Sequence, residues 1–223
     1  MLSYYITDRM QFAGREAERR SRLLQIIGEA CAAGIDYVQL REKDLAIREV
    51  EKLARAALAV IRSKGKARLL INHRTDVALA VGADGVHLTG SDIAASEARA
   101  LAAKAGRAEF VIAASCHSVA EVRLADSHGA DFVVLAPIFE KVGTTVSNIG
   151  LAALREAAQK DRRPDLRVEA GDSHRQFAVF ALGGVTLERA PLCAAAGAAG
   201  IAGIRLFQQC QNLPELVSAI RAL

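Results

Sequence analysis

At 223 residues the chain is long for one small domain and typical of one α/β barrel, and its 52% apolar content is ample for a core. A net charge of +4, with Lys and Arg scattered among acidic residues and no interleaved aromatics, disfavours nucleic-acid binding but would help an anionic small molecule approach. Cys31, Cys116, Cys193 and Cys210 form no CxxC pair, which argues against a zinc ribbon and fits free thiols in a reducing cytoplasm.

The N-terminus, Leu2-Ser3-Tyr4-Tyr5-Ile6, has no basic n-region or cleavage site, so no signal peptide is expected. No apolar run reaches the roughly 18–20 residues of a membrane span. The expectation is a soluble, cytoplasmic protein with no membrane partner.

In chain order, apolar runs predict strands near 3–7, 37–41, 68–72, 85–88, 110–115, 132–137, 177–183 and 200–206. Helices are expected between and after them, at 19–33, 45–64, 74–82, 91–105, 118–128, 149–160, 186–196 and 213–222. The second carries a clear apolar stripe, Ile47, Val50, Leu53, Ala54, Ala57, Val60 and Ile61. One unit recurs: a helix tail, Gly, a small residue, Asp or Gly, then a strand. It stands at Gly34-Ile35-Asp36, Gly82-Ala83-Asp84 and Gly129-Ala130-Asp131, and more loosely at Gly197-Ala198-Ala199. Glycine at a helix C-cap followed by a tight turn is what a short αβ connection requires. Eight strand–helix units point to a single (β/α)8 TIM barrel over 1–223, with a doubly wound open sheet as runner-up. Residues 161–176 are polar and aperiodic, and a mobile loop at the N-terminal rim is expected there.

Chemistry in such a barrel belongs at the C-terminal strand ends. After the second strand, a period of two puts Gln39, Arg41 and Lys43 on one side. They suit a pyrophosphate, or else a solvated turn salt-bridged with Glu42 and Asp44. Asn72 ends the third strand as a polar contact or a turn residue. Asp92 offers a hard-cation ligand or an N-cap for a helix from Ile93. Ser115 and His117 close the fifth strand with a hydroxyl and an imidazole, and Ser118 with Glu121 forms a capping box. Cys116 and His117 should point to opposite faces, which speaks against a nucleophilic pair. Gly183 and Gly184 follow the seventh strand, where backbone N–H groups can approach a phosphate, and Arg205 could add charge.

QLREK at 39–43, INxR at 71–74, GADGVHL at 82–88 with Asp92, ASxH at 114–117, PIF at 137–139 and ALGGV at 181–185 together resemble the thiamine phosphate synthase family. The likeness spans nearly the whole chain apart from 161–176. It implies a barrel that joins hydroxymethylpyrimidine diphosphate to thiazole phosphate with Mg2+ and releases pyrophosphate. Carried over, Gln39, Arg41, Lys43 and Asn72 would hold the pyrimidine diphosphate and Asp92 would bind Mg2+. Ser115 would contact the leaving pyrophosphate, and Gly184 with Gly183 would cradle the thiazole phosphate. Small phosphorylated molecules are the expected partners, and homo-oligomer formation is left open.

Three positions depart from the family pattern. His73 stands where the family places a second magnesium carboxylate, and imidazole is a poor partner for that ion. The usual Thr-x-Thr-Lys after Phe139 is altered, leaving Lys141, Thr144 and Thr145 as substitutes from a rebuilt loop. Arg205 replaces a small residue. These features resemble the sister thiazole tautomerases, in which reading His117 shuttles a proton without metal. A non-catalytic binder of thiamine precursors is the alternative from another class. A phosphosugar isomerase would need an acid/base pair that the sequence does not display.

Overall fold

In the computed structural model, residues 1–140, 148–159 and 177–223 are described. The expected loop at 161–176, together with Lys141, Thr144 and Thr145, lies outside them. The described elements are β1 (Leu2–Ile6), α1 (Glu16–Ala32), β2 (Tyr37–Leu40), α2 (Ile47–Lys64), β3 (Arg68–Asn72), α3 (Thr75–Val81), β4 (Gly85–Leu88), α4 (Ala95–Lys104) and β5 (Val111–Cys116). They continue with α5 (Val119–Ser127), β6 (Phe132–Leu135), α6 (Gly150–Ala158), β7 (Ala178–Ala181), α7 (Ala190–Ala195), β8 (Gly200–Gly203), α8 (Arg205–Gln208) and α9 (Leu213–Arg221). The strands close in sequence order into a parallel barrel, β8 pairing back onto β1, so the open-sheet alternative falls.

Two sets of contacts hold the barrel. Outside, α2 buries Leu53, Ala54, Ala57 and Ile61 of the expected stripe and adds Leu58, while Val50 and Val60 are half-buried and Ile47, at the helix start, is exposed. Inside, alternate strand residues meet at the axis. Tyr4, Tyr37, Phe132 and Phe180 stack there, with Phe132 and Phe180 centroids 4.7 Å apart and Tyr4 edge-on to Phe132 at 5.5 Å. Gly200 is required beside them, because a Cβ there would stand 2.2 Å from the Phe180 ring. This cluster fills the N-terminal half of the interior and leaves the opposite end for polar groups.

The recurring aspartates have a common structural role. Asp36 accepts hydrogen bonds from Ser3 N at 2.8 Å and Ser3 Oγ at 2.9 Å. Asp84 likewise accepts from Leu69 N at 2.8 Å, and Asp131 from Ile112 N at 2.6 Å. Each of these three carboxylates, standing ahead of β2, β4 or β6, satisfies the N–H of the second residue of the odd-numbered strand before it. These N–H groups would otherwise lack a partner at the barrel's lower rim. The loose fourth repeat has no aspartate and keeps only the backbone bond, Ala199 N to Val179 O, that Asp84 N and Asp131 N also make to Leu69 O and Ile112 O.

Element ends differ from expectation where side chains intervene. α1 starts at Glu16 rather than residue 19, because the Glu18 carboxylate accepts from Arg15 N at 2.7 Å. α7 is only Ala190–Ala195, begun by Pro191, whose fixed φ suits a first turn. β8 stops at Gly203, and Arg205 starts a short helix instead of ending a strand. Gly82 closes α3 in the left-handed conformation as expected, with φ 73°.

Candidate active site

The polar ends of the strands open into a cavity of about 540 Å³ at the C-terminal mouth. Gln39, Arg41 and Lys43 of the β2 exit all line it, so the alternation holds past the strand's last ladder residue. Asn72, Ser115 and His117 face them. Gln39 Nε2 donates to Asn72 Oδ1 at 3.2 Å, which fixes the two amides as a pair.

The alternative of a salt-bridged turn is corrected by Arg9, which takes both nearby carboxylates. Arg9 is 2% exposed and donates to Glu42 at 3.1 Å and to Asp44 through both terminal nitrogens at 2.7 Å. Glu42 also accepts from Thr7 Oγ1 at 2.6 Å, and Thr7 Oγ1 accepts from Arg41 N at 2.9 Å. Burial pushes the Glu42 carboxyl up, against the donors of Thr7 and Arg9, which pull it down. The β1 and β2 exits are thereby clamped together. Among the described residues, no ion pair or hydrogen bond engages the Arg41 guanidinium or the Lys43 ammonium. Both cations stand in the cavity wall with no counter-charge paired to them among the described residues.

Asp92 is not a helix N-cap. α4 begins at Ala95 behind Ala94, whose N–H is taken by Glu97 at 2.8 Å. The Asp92 carboxylate is 4% exposed and folds back on its own turn, accepting from Thr89 N at 2.6 Å and Thr89 Oγ1 at 2.9 Å. Its other oxygen contacts Nδ1 of the exposed His73, whose backbone sits at φ 68°. Asp92 lines an adjoining groove that shares Thr89, Gly90, Ser115 and His117 with the main cavity.

At the end of β5, Cys116 is buried and His117 exposed, on opposite faces as expected. His117 Nδ1 lies 2.8 Å from Ala136 O. A carbonyl only accepts, so Nδ1 carries the proton and Nε2 is left as an acceptor. Ser118 caps α5 through Glu121 N at 3.1 Å, while Glu121 returns to His117 N at 2.7 Å rather than to Ser118. Gly183 and Gly184, with Arg205, line a neighbouring cavity of about 810 Å³ that shares Leu182 and Ile204 with the first. Their φ values are 94° and 65°, and a Cβ on either would stand within 2.8 Å of Pro137 or Phe139. Neither glycine N–H is engaged by a backbone acceptor among the described residues.

Sequence reasoning missed His87. It is 2% exposed on β4, bridging Tyr4 and Ser115, and burial followed by the charge of Arg41 lowers its pKa to about 3. The period of two from Gly85 to Thr89 was the available signal. The Arg9–Glu42 clamp left no such signal, because its partners are 33 residues apart.

With the mouth's geometry in place, likeness to known proteins acquires meaning. A family model described as thiamine monophosphate synthase matches residues 4–207. The chain belongs to that family. It is 41% identical over 220 residues to a putative thiamine-phosphate synthase of Geobacter sulfurreducens, covering 99% of this chain and 92% of the relative. It is 38% identical to putative thiamine-phosphate synthase 2 of Aquifex aeolicus, with 92% and 96% covered. A thiamine phosphate pyrophosphorylase structure from Pyrococcus furiosus superposes with TM-score 0.75 at 27% identity, covering 99% of this chain and 94% of that one. Within the described residues, no helix is long and apolar enough to cross a membrane.

Proposed function

We propose that this family member is a thiamine phosphate synthase, a transferase that joins hydroxymethylpyrimidine diphosphate to thiazole phosphate and releases pyrophosphate. The observation that carries the reading is the pair Arg41 and Lys43, without an ion-pair partner among the described residues, facing Ser115 across a cavity contiguous with a glycine-lined one. A diphosphate offers the guanidinium two oxygens in its fork and the ammonium a point charge. The Gln39–Asn72 amide pair below suits the donor and acceptor edge of an aminopyrimidine. The thiazole phosphate fits the second cavity, on the N–H groups of Gly183 and Gly184 with Arg205 alongside.

The reaction breaks the methylene C–O bond to the diphosphate, which leaves with the bonding electrons. The thiazole nitrogen lone pair forms the new C–N bond. No protein nucleophile is needed, so the protein's task is to stabilise charge on the departing group and keep the rings aligned.

Mg2+ is part of the same proposal. One well-buried carboxylate, Asp92, is an oxygen donor of the kind that ion uses together with substrate phosphates and water. His73, an imidazole, is not a ligand of that kind. Among the described residues no three His, Cys, Asp or Glu groups cluster as a metal site, so the fit is to an ion carried in part by the diphosphate. When bound, Mg2+ would supply charge neutralisation of the leaving group.

The free acceptor nitrogen of His117 favours one second reading, metal-independent proton transfer on a thiazole carboxylate phosphate. Purified protein supplied with both phosphorylated precursors and Mg2+ should yield thiamine phosphate and pyrophosphate in equal amounts. Isomerisation of the thiazole in the presence of a chelator, with no coupling, would replace the first reading by the second. Tight binding with neither reaction would leave a binder of thiamine precursors.

A further inference from the structure

His87 sits in the barrel interior between Tyr4 of β1 and Ser115 of β5. Its Nδ1 lies 3.0 Å from the Tyr4 hydroxyl and its Nε2 2.8 Å from Ser115 Oγ. Tyr4 is 0% exposed, its ring packs against Tyr37, Phe132 and Phe180, and His87 is its only side-chain hydrogen-bond partner among the described residues. A neutral imidazole carries one N–H and one bare nitrogen, which leaves two ways to direct the chain.

In the first, Nδ1–H donates to Tyr4 and Ser115 donates to Nε2. The Tyr4 O–H then points among apolar rings with no acceptor among the described residues, an arrangement folded proteins avoid. In the second, Tyr4 donates to Nδ1, Nε2–H donates to Ser115 Oγ, and every buried donor has an acceptor. The Ser115 proton is then left to point into the cavity, and aligned bonds of this kind strengthen one another.

We propose that Tyr4 and His87 form a one-way hydrogen-bond relay that commits the Ser115 hydroxyl to donate into the cavity, making both positioning residues for an anionic oxygen bound there. The proposal rests on the functional reading above only in taking that oxygen to be the substrate's diphosphate. A serine without this support would rotate freely and present its lone pairs as readily as its proton. With its oxygen already accepting from His87, it selects an acceptor.

Nitrogen-15 NMR of the full chain tests the direction of the relay. His87 should carry its proton on Nε2, and a proton on Nδ1 would overturn the proposal. Replacing the pair by Tyr4→Phe/His87→Met removes the relay without orphaning a polar atom. Affinity for metal-free inorganic pyrophosphate should then fall about three- to tenfold, the range of one hydrogen bond. The same pair of substitutions in a Ser115→Ala background should change it less than about twofold. An equal loss in both backgrounds would show a merely structural role and sink the relay. If the wild-type chain fails to join the precursors while the tautomer and the pyrophosphate affinities come out as stated, the reaction reading fails and the relay stands.

Discussion

The two halves of the barrel interior are built from the same strands, one pleat apart, the lower closed by rings and the upper mixing apolar walls with polar groups. Towards the N-terminal ends, Tyr4, Tyr37, Phe132 and Phe180 close the axis with stacked rings. Two residues further along their strands, Ile6, Gln39, Val134 and Leu182 line a cavity, joined by Asn72, His87 and Ser115. A side-chain period of two lets each strand contribute once to stability and once to the site without changing direction. The lower layer can be judged by volume, while the upper layer has to be judged by charge and hydrogen bonding.

Substitutions in each layer should therefore fail differently. Phe180→Ala opens a void in the lower layer and should cost about 3–5 kcal/mol by chemical denaturation, with the activity of the remaining folded protein near wild type. Glu42→Ala should cost less, about 1–3 kcal/mol, because Arg9 keeps Asp44 and Glu16 while the Thr7 hydroxyl and the Arg9 N–H lose their acceptor. Unlike the Phe180 variant, it should also weaken pyrophosphate binding, since Glu42 anchors the β1 and β2 exits. Ser115→Ala should slow turnover by about 10²–10³-fold while leaving the melting transition higher than that of Phe180→Ala. A reversal of that ranking would dissolve the distinction between the layers.

Smaller effects sharpen it. His87 has a folded pKa of about 3 against the usual 6.5, so the unfolded chain takes up this proton first as pH falls. Its contribution to stability is full above about pH 6.5 and declines by about 1.4 kcal/mol per unit down towards pH 3. Tyr4→Phe/His87→Met should remove that decline between pH 6.5 and 4.5, measured as the difference in denaturation free energy from wild type. The smallest effect is expected at His73, half-exposed on the rim. His73→Ala should alter stability by no more than about 0.5 kcal/mol by thermal melting. It should also increase the response of turnover to added Mg2+, by uncovering one Asp92 oxygen.

The parts of the molecule written as local patterns were the parts legible in the sequence. Apolar runs, the α2 stripe and the Gly82 cap place the strands and helices because their causes lie within a few residues. The alternation after β2 places Arg41 and Lys43 for the same reason. Arg9 was invisible as the residue that occupies Glu42 and Asp44, because only the pairing of β1 with β2, across 33 residues of chain or more, brings the two strand exits together. The aspartates of the repeated unit were visible as a pattern, yet their purpose is an N–H on the neighbouring strand. Of the two roles open to Asp92 in the sequence, the N-cap falls because α4 starts three residues later, where Glu97 takes the Ala94 N–H. His87 went unremarked because a histidine inside a short apolar strand reads as core until its two ring nitrogens have partners.

The stacked aromatic layer also governs traffic. With the axis sealed below by rings, whatever reaches Gln39 and Ser115 arrives through the upper opening and departs by the same route. Nothing can pass along the axis between the two ends of the barrel, so the strands' C-terminal side serves both entry and exit.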